Sequence, residues 1–545
     1  MKRLVEMVRG AVFGVVRDRR GGVATFLAAT IIPLIAFAGL AVDTSRGYLM
    51  KARLSSALDS AALAGGRAMH DPALRDEMVN RFFAANFPAN YMGATITGPT
   101  ITIDNVNNTI TLDAGAEMSS SLMQVLGVDT MNVAGTTEVK LSSRNVEVAL
   151  VVDVTGSMAG TPISDLKTAA KDLVDIIVKD VQTPHFSKIA LVPYSAAVNV
   201  GSYAAQVRGA IRPTTAITGA TKANPVVVTS PTHGLASGEM IRITGVNGMT
   251  QLNDEYYRVA NVTANTFELR NESNTSNING TSYSTYSSGG TVACRDYGCN
   301  IHRFFNMNND WRNWSPPTTC VTERTGANAY TDVPPAASAV SPVTAPVGFH
   351  YADDSNPCLA AEMIPLSSDR TLLKNRIDSL IAEGSTAGQI GLAWGWYLVS
   401  PNFGYLWPAE SQPLAYGADE LIKVVIFMTD GDLNTGYAKG IVAQDSGSGS
   451  GSNSDKIKQN ATNPSIHTGR VSSYSQALQL CSAMKAAGVL VYTVGFDIGS
   501  ITAAQEVVQQ CATDPTYVYM PDSGTELSEA FNAIAINVAR LHLSK

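Results

Sequence analysis

Asn145-Val-Glu-Val-Ala-Leu-Val-Val-Asp-Val-Thr-Gly-Ser-Met158 decides the fold. Val146 to Val152 form an apolar run that stops at Asp153, and Ile163 to Val181 (ISDLKTAAKDLVDIIVKDV) then space their apolar residues at helical intervals. A short apolar strand, a loop and an amphipathic helix open an α/β domain. The alternation resumes with KIALVPYS from Lys188, LIKVVIFMTDGD from Leu421 and GVLVYTVGF from Gly488, with SQALQLCSAMKAAG from Ser475 as a helix between the last two. LSEAFNAIAINVARLHL, from Leu527, closes the chain as an amphipathic helix. Apolar strands separated by helices predict a mostly parallel sheet covered on both faces.

Asp153, Thr155 and Ser157 alternate along the loop after that first strand. Side chains there emerge at the carboxyl edge of the sheet, where open α/β folds place ligands. One carboxylate and two hydroxyls turned to one centre suit a hard divalent cation, with Mg²⁺ the default and Mn²⁺ or Ca²⁺ the alternatives. A second strand-end carboxylate, Asp430, follows in Met428-Thr429-Asp430-Gly431, and Gly384-Ser385-Thr386 lies in a loop before the helix-like QIGLAWGWYLV. Five protein oxygens leave a place in the ion's shell for water or a carboxylate from a protein partner. The competing reading is a turn that caps the following helix.

From Gly21 to Val42 the chain carries no charge, which is the length a helix needs to cross a bilayer and more than the roughly 7 to 15 residues of a cleaved signal. Lys2, Arg3, Arg9, Arg17, Arg19 and Arg20 precede it, so the N-terminus is expected in the cytoplasm of a bacterial inner membrane and the bulk of the chain in the periplasm or cell exterior. Pro33 should kink the span. The Ala- and Leu-rich stretch that follows predicts a helix continuing out of the bilayer. The resulting plan is a cytoplasmic stretch at 1–20, a transmembrane helix at 21–42, a helical spine at 43–90 and a β-rich stalk at 91–144, with Asn107 and Asn108 at a hairpin turn. The α/β domain takes 145–217 and 294–545, and a module rich in Asn, Ser, Thr and Gly is inserted at 218–293. Asp445 to Asp455 (DSGSGSGSNSD) is expected to be a flexible polar loop.

The formal charge of −7 gives no footprint for nucleic acid. Six cysteines beyond the span suit disulfides in an oxidising compartment, and Cys481 with Cys511 is the one pairing expected. Cys294, Cys299, His302 and Cys320 do not follow a standard zinc spacing. Trp394 and Trp396 read as core or interface residues rather than a binding platform. No His or Glu is evidently placed as a general base beside the Asp153 loop, so an enzyme is not expected.

Three resemblances add to this. The D-x-[ST]-x-S loop, the distant Thr and the strand-terminal Asp resemble the metal-ion-dependent adhesion site of von Willebrand A domains. That likeness implies a Rossmann-like fold and a metal site of Asp153, Thr155, Ser157, Thr386 and Asp430, whose hydroxyls coordinate directly while the aspartates often act through water. Arg19-Arg20-Gly21-Gly22, the Pro-containing apolar helix, Asp43 and LDSAALAGGRAM resemble the start of TadE/TadG-type proteins of tight-adherence (Flp, type IVc) pilus systems; WSPPTTCVTERTGANAYTD from Trp314, GLAWGWYLVSP from Gly391 and the ending from Gly488 extend the likeness. Pseudopilin relatives carry a Glu at the fifth position after the cleavage site, where this chain has Leu27 after Gly22, a departure that argues against processing. The resemblance implies an exported component that binds a partner through the metal site, alongside other pilus assembly proteins. An envelope metal-binding scaffold or chaperone without a pilus role, and a metal-dependent hydrolase, are the alternatives. Thr229 to Leu269 is similar to the small β domain of ubiquitin-activating enzymes and phage tail proteins, without implying ubiquitin chemistry.

Overall fold

The computed structural model describes residues 22–66, 68, 72–104, 109–140, 144–183, 185–466 and 469–543. The expected cytoplasmic stretch 1–20, Gly21 and the Asn107–Asn108 turn lie outside the described residues. The chain divides into two compact units, residues 1–143 with 543–545, and residues 144–542.

In the first unit, α1 (Gly22–Gly66) is one helix that continues past the uncharged run, with Pro33 inside it. It is long and apolar enough to cross a membrane. α2 (Pro72–Asn86) follows, and then an antiparallel sheet of β1 (Thr95–Asp104), β2 (Thr109–Ser119) and β3 (Thr130–Lys140). The sequence reading separates a spine from a stalk, but the two share one core. Met50, Leu54, Leu58 and Ala61 of α1 pack with Val79 and Phe83 of α2 and with Ile110, Leu112 and Met118 of β2. The three α1 side chains Leu54, Leu58 and Ala61 recur at i, i+4 and i+7, so one stripe of the helix covers the sheet.

The second unit is built on a six-stranded sheet. Its strands are β4 (Asn145–Asp153), β5 (Ser187–Tyr194), β6 (Ile364–Ser367), β7 (Leu421–Thr429), β8 (Leu490–Gly495) and β9 (Val518–Tyr519), in the spatial order β6-β5-β4-β7-β8-β9. All neighbours are parallel except β6, which runs antiparallel along β5. β4 is buried on both faces, because successive side chains point to opposite sides. Val148, Leu150 and Val152 enter one core with α3 (Thr161–Ile177), α4 (Arg370–Asp378) and Leu527 to Val538 of the closing helix. Ala149 and Val151 enter the other, with α5 (Gly388–Val399), α6 (Ser472–Ala486) and α7 (Thr502–Cys511). Every residue of α5 is buried, Trp394 and Trp396 included. Three glycines let it approach the sheet: a Cβ on Gly391 would meet Tyr194 Cδ1 at 2.5 Å, one on Gly395 Val151 Cγ2 at 2.5 Å, and one on Gly388 Phe427 Cζ at 3.1 Å.

A separate seven-stranded antiparallel sheet, built from strands between Thr215 and Cys294, has its own core around Ile241, Ile243, Phe267 and Leu269. The cysteines pair as Cys294–Cys299, Cys320–Cys358 and Cys481–Cys511. The last is the pairing expected from the sequence and ties α6 to α7. The first two consume three of the four residues a zinc site would have needed.

At the far end of β4 and β7 from the loops, Glu147 and Lys423 form a buried pair at 2.5 Å. Lys423 also donates to the Val399 carbonyl at 2.8 Å, and Leu414 N–H donates to Glu147 at 2.8 Å. Removing one partner leaves a buried charge uncompensated, which costs more than losing the pair. Lys423→Met is therefore expected to lower the unfolding free energy by about 3–5 kcal/mol in urea titration, and the double variant Glu147→Gln/Lys423→Met by less. An equal or larger loss in the double variant would contradict the assignment.

Candidate functional site

The strand order places the site. α3, after β4, and α6, after β7, pack on opposite faces of the sheet. The loops leaving these adjacent strands therefore diverge, and the crevice between them is the position where open α/β sheets hold ligands. Asp153 ends β4 and Asp430 follows β7 directly.

Asp153 is fully buried, and donors from its two neighbouring strands and its own loop converge on it. Its Oδ1 accepts from the Thr155 N–H at 2.9 Å and the Thr155 hydroxyl at 2.6 Å. Its Oδ2 accepts from the Tyr194 hydroxyl at 2.9 Å, the Thr429 hydroxyl at 3.1 Å and the Asp430 N–H at 3.4 Å. None of these partners is a cation. Around it, Ser157 Oγ lies 2.8 Å from Asp430 Oδ1 and 3.0 Å from Thr155 Oγ1, and Thr155 Oγ1 lies 3.4 Å from Asp430 Oδ1. Thr155 is buried and Ser157 exposed, so the cluster opens outward at Ser157.

Thr386 is held beside this cluster through its backbone. The Gly156 N–H donates to the Gly384 carbonyl at 2.9 Å, and the Glu383 N–H to the Val154 carbonyl at 2.9 Å, which clasps the two loops together. The Thr386 N–H donates to Asn434 Oδ1 at 3.1 Å, and its carbonyl accepts from the Thr435 N–H at 3.1 Å. Among the described residues its hydroxyl makes no hydrogen bond to the cluster. The structure thus joins Asp153, Thr155, Ser157 and Asp430 directly, and Thr386 by its loop.

Other residues were not legible as part of the site. Tyr194 reads in sequence as the end of an apolar strand; its role follows from register, since Tyr194 pairs with Asp153 across β4 and β5. Asn356 and Asn434 hold the Ser385–Thr386 loop from outside: the Ser385 N–H donates to Asn356 Oδ1 at 3.2 Å. Those two asparagines are in turn fixed by the Gly/Ser stretch, with Asn434 Nδ2 donating to the Ser448 carbonyl and Asn356 Nδ2 to the Ser450 carbonyl, each at 3.1 Å. Far from a free polar loop, Asp445 to Asp455 has Ser450 fully buried and supports the site. Ser385 and Asp432 are engaged elsewhere, Ser385 with Asn356 and Thr435, Asp432 with the Tyr474 hydroxyl.

The donor set fits a hard cation. It consists of oxygens alone, from two carboxylates and two hydroxyls. Adjacent oxygens of an octahedron with bonds of roughly 2.1 Å lie about 3.0 Å apart, against the 2.8, 3.0 and 3.4 Å found here. Charge points the same way. Burial, and then the neighbouring Asp153 charge, push the Asp430 carboxyl up to about 7. Burial also raises Asp153, against the hydrogen bonds that lower it. A positive charge between them would offset both penalties.

Residues 21–68 match the family described as putative Flp pilus-assembly TadE/G-like, and residues 223–295 match the ubiquitin-activating enzyme E1 FCCH domain. The first match marks the N-terminal helix as a TadE/G-like segment. The second coincides with the separate β module. No curated protein matches the chain. Among solved structures, the chain is similar to the vWF domain of the type V pili tip protein Mfa5 from Porphyromonas gingivalis, at 10% identity and a TM-score of 0.32, over 74% of this chain and 97% of that one. It is also similar to the pilus adhesin SpaC from Lactobacillus rhamnosus GG, at 12% identity and a TM-score of 0.31, over 82% of this chain and 34% of that one. The pilus adhesin RrgA from Streptococcus pneumoniae gives 10% identity and a TM-score of 0.28, over 81% and 48%.

The raised carboxyls make a stability prediction for the metal-free protein. Between about pH 4 and pH 7 the native Asp430 holds a proton that the unfolded chain has released, so unfolding free energy falls as pH rises through that window. In chelator, Asp430→Asn is expected to lose less stability than wild type between pH 4 and pH 7, by thermal melts. Parallel profiles would contradict the raised carboxyl.

Proposed function

We propose that the second unit is a von Willebrand A domain of Rossmann-like topology, with the FCCH-like module as an insertion at 218–293. Its metal-ion-dependent adhesion site is formed by Asp153, Thr155, Ser157, Thr386 and Asp430. The ion is Mg²⁺, or Mn²⁺ or Ca²⁺ in its place. Bound there, a divalent cation supplies a Lewis-acidic point to which a carboxylate from a protein partner can attach. The chain's own residues do the rest. Thr155 and Ser157 present hydroxyl oxygens, Asp153 and Asp430 supply the charge, and Tyr194 and Thr429 hold Asp153 in place. What supports this reading is the oxygen-only cluster at the diverging loops, whose buried carboxylate has no cationic partner among the described residues.

With the TadE/G-like N-terminal segment, this reads as an anchored, exported component of a tight-adherence pilus assembly system. It sits in the inner membrane with a cytoplasmic N-terminus, meets other pilus assembly proteins, and binds rather than catalyses. Among the described residues, the hydrogen-bond partners of the site carboxylates are hydroxyls and backbone amides.

Calorimetric titration of Mg²⁺ and Mn²⁺ into the protein tests this, wild type beside Asp153→Ala. Saturable binding in wild type, lost in the variant while its disulfides and far-UV circular dichroism are kept, is the expected result. Absence of binding in both would leave these loops a structural turn. Asp430→Ala is expected to weaken metal binding at least tenfold, which corresponds to about 1.4 kcal/mol.

A further inference from the structure

The uncharged run of α1 ends at Asp43, and Asp43 is fully buried. Its carboxylate accepts from three successive backbone amides of the β2–β3 connection: Ser121 at 3.0 and 3.1 Å, Leu122 at 2.9 Å and Met123 at 2.9 Å. Arg46, one turn further along α1, lies 3.4 Å from the same carboxylate and donates to the Ser121 hydroxyl. Met123–Leu126 is a 3₁₀ turn, so Asp43 takes amides that the start of such a turn leaves without partners. The connection is thereby pinned to α1 where its apolar run stops.

That pinning sets a depth. A Cβ built on Gly39 would come within 2.7 Å of Leu122 Cβ, so Leu122 lies against the helix at a residue inside the run. Gly39 is three residues before Val42, about 4.5 Å along the axis. The end of β2 and the connection together read MSSSLMQVLGV from Met118 to Val128, with no charge, between Glu117 and Asp129. Leu122 and Val128 are 36% and 37% exposed, and on α1 at the same level Phe37 and Leu40 are 72% and 47% exposed. Apolar side chains left open beside a membrane-spanning segment have a ready partner in the lipid itself. A carboxylate at that depth is tolerated only when paired and hydrogen-bonded, as Asp43 is.

We propose that the 120–128 connection is a second membrane contact, dipping into the interface of the bilayer that α1 crosses, with Leu122 and Val128 facing lipid. The proposal rests on the reading of α1 as a span. The helix and the connection together give the first unit two attachment points, which fixes its β-sheet against the membrane surface.

The test uses the full chain in phospholipid vesicles. The described cysteines are all in disulfides, so a nitroxide can be placed on single introduced cysteines by Leu34→Cys, Leu122→Cys, Val128→Cys and Glu138→Cys. The reading is the relative accessibility to oxygen, which partitions into lipid, and to a water-soluble nickel chelate. At positions 122 and 128 the oxygen-to-nickel ratio is expected severalfold above that at 138 and below that at 34. A ratio at 122 and 128 equal to that at 138, with 34 still lipid-exposed, overturns the second contact alone. Loss of access to both reagents at 122 and 128 overturns it in favour of a covering protein. An aqueous reading at 34 overturns the span, and the second contact with it.

Discussion

A carboxylate buried at the edge of a sheet, with no cationic side chain among its partners in the described residues, is the constraint around which the second unit is organised. Asp153 would be costly there unless its oxygens were filled with donors. Thr155 fills them from its own loop, Tyr194 from β5, and Thr429 with the Asp430 amide from β7. Each donor depends on strand register: β4 must stop level with β5 for Tyr194 to reach Asp153, and β7 must stop level with β4 for Thr429 to do so. α5 follows from the same demand. The Tyr194 ring occupies space that a side chain at position 391 would take, and glycine there lets the buried helix cover the sheet.

The loops extend this logic outward in layers. The Asp153 loop holds the Gly384 loop through backbone bonds, Asn356 and Asn434 hold that loop in turn, and carbonyls of the Gly/Ser stretch orient the two asparagines. Small residues in that stretch allow its backbone to come close enough to act as an acceptor. A ligand site on rigid strand ends with such support keeps its oxygens in place before anything binds, which is the condition for tight and selective binding.

What could be read from the chain follows the range of the physics. β4, β5, β7 and β8 announce themselves because strands buried on both faces are continuous apolar runs. Asp153, Thr155, Ser157 and Asp430 were visible as polar residues at the ends of such runs, and the structure brings them together. β6 and β9 are too short for a pattern, and β6 contains a proline. Tyr194 was hidden because a tyrosine ending an apolar strand looks like core, and its hydroxyl's partner is distant in sequence. The Asp445–Asp455 stretch misled because composition reports solubility and not the partners that its carbonyls meet. In the first unit, α1 is rich in small and apolar residues on several faces, so the stripe that packs on β2 does not stand out from the span. Asp43 stands out in the sequence after the apolar run, but the partners that clamp it do not, since they are backbone amides.

The proposed metal site requires that the oxygens of Asp153, Thr155, Ser157 and Asp430 surround a cation. The most direct measurement is a crystal structure of the protein grown with Mn²⁺ and recorded for anomalous scattering. One strong anomalous peak within bonding distance of the Thr155 and Ser157 hydroxyls, beside the two aspartates, is the predicted result. No peak there at saturating Mn²⁺, with Thr155 and Ser157 still hydrogen-bonded to the carboxylates, would contradict it.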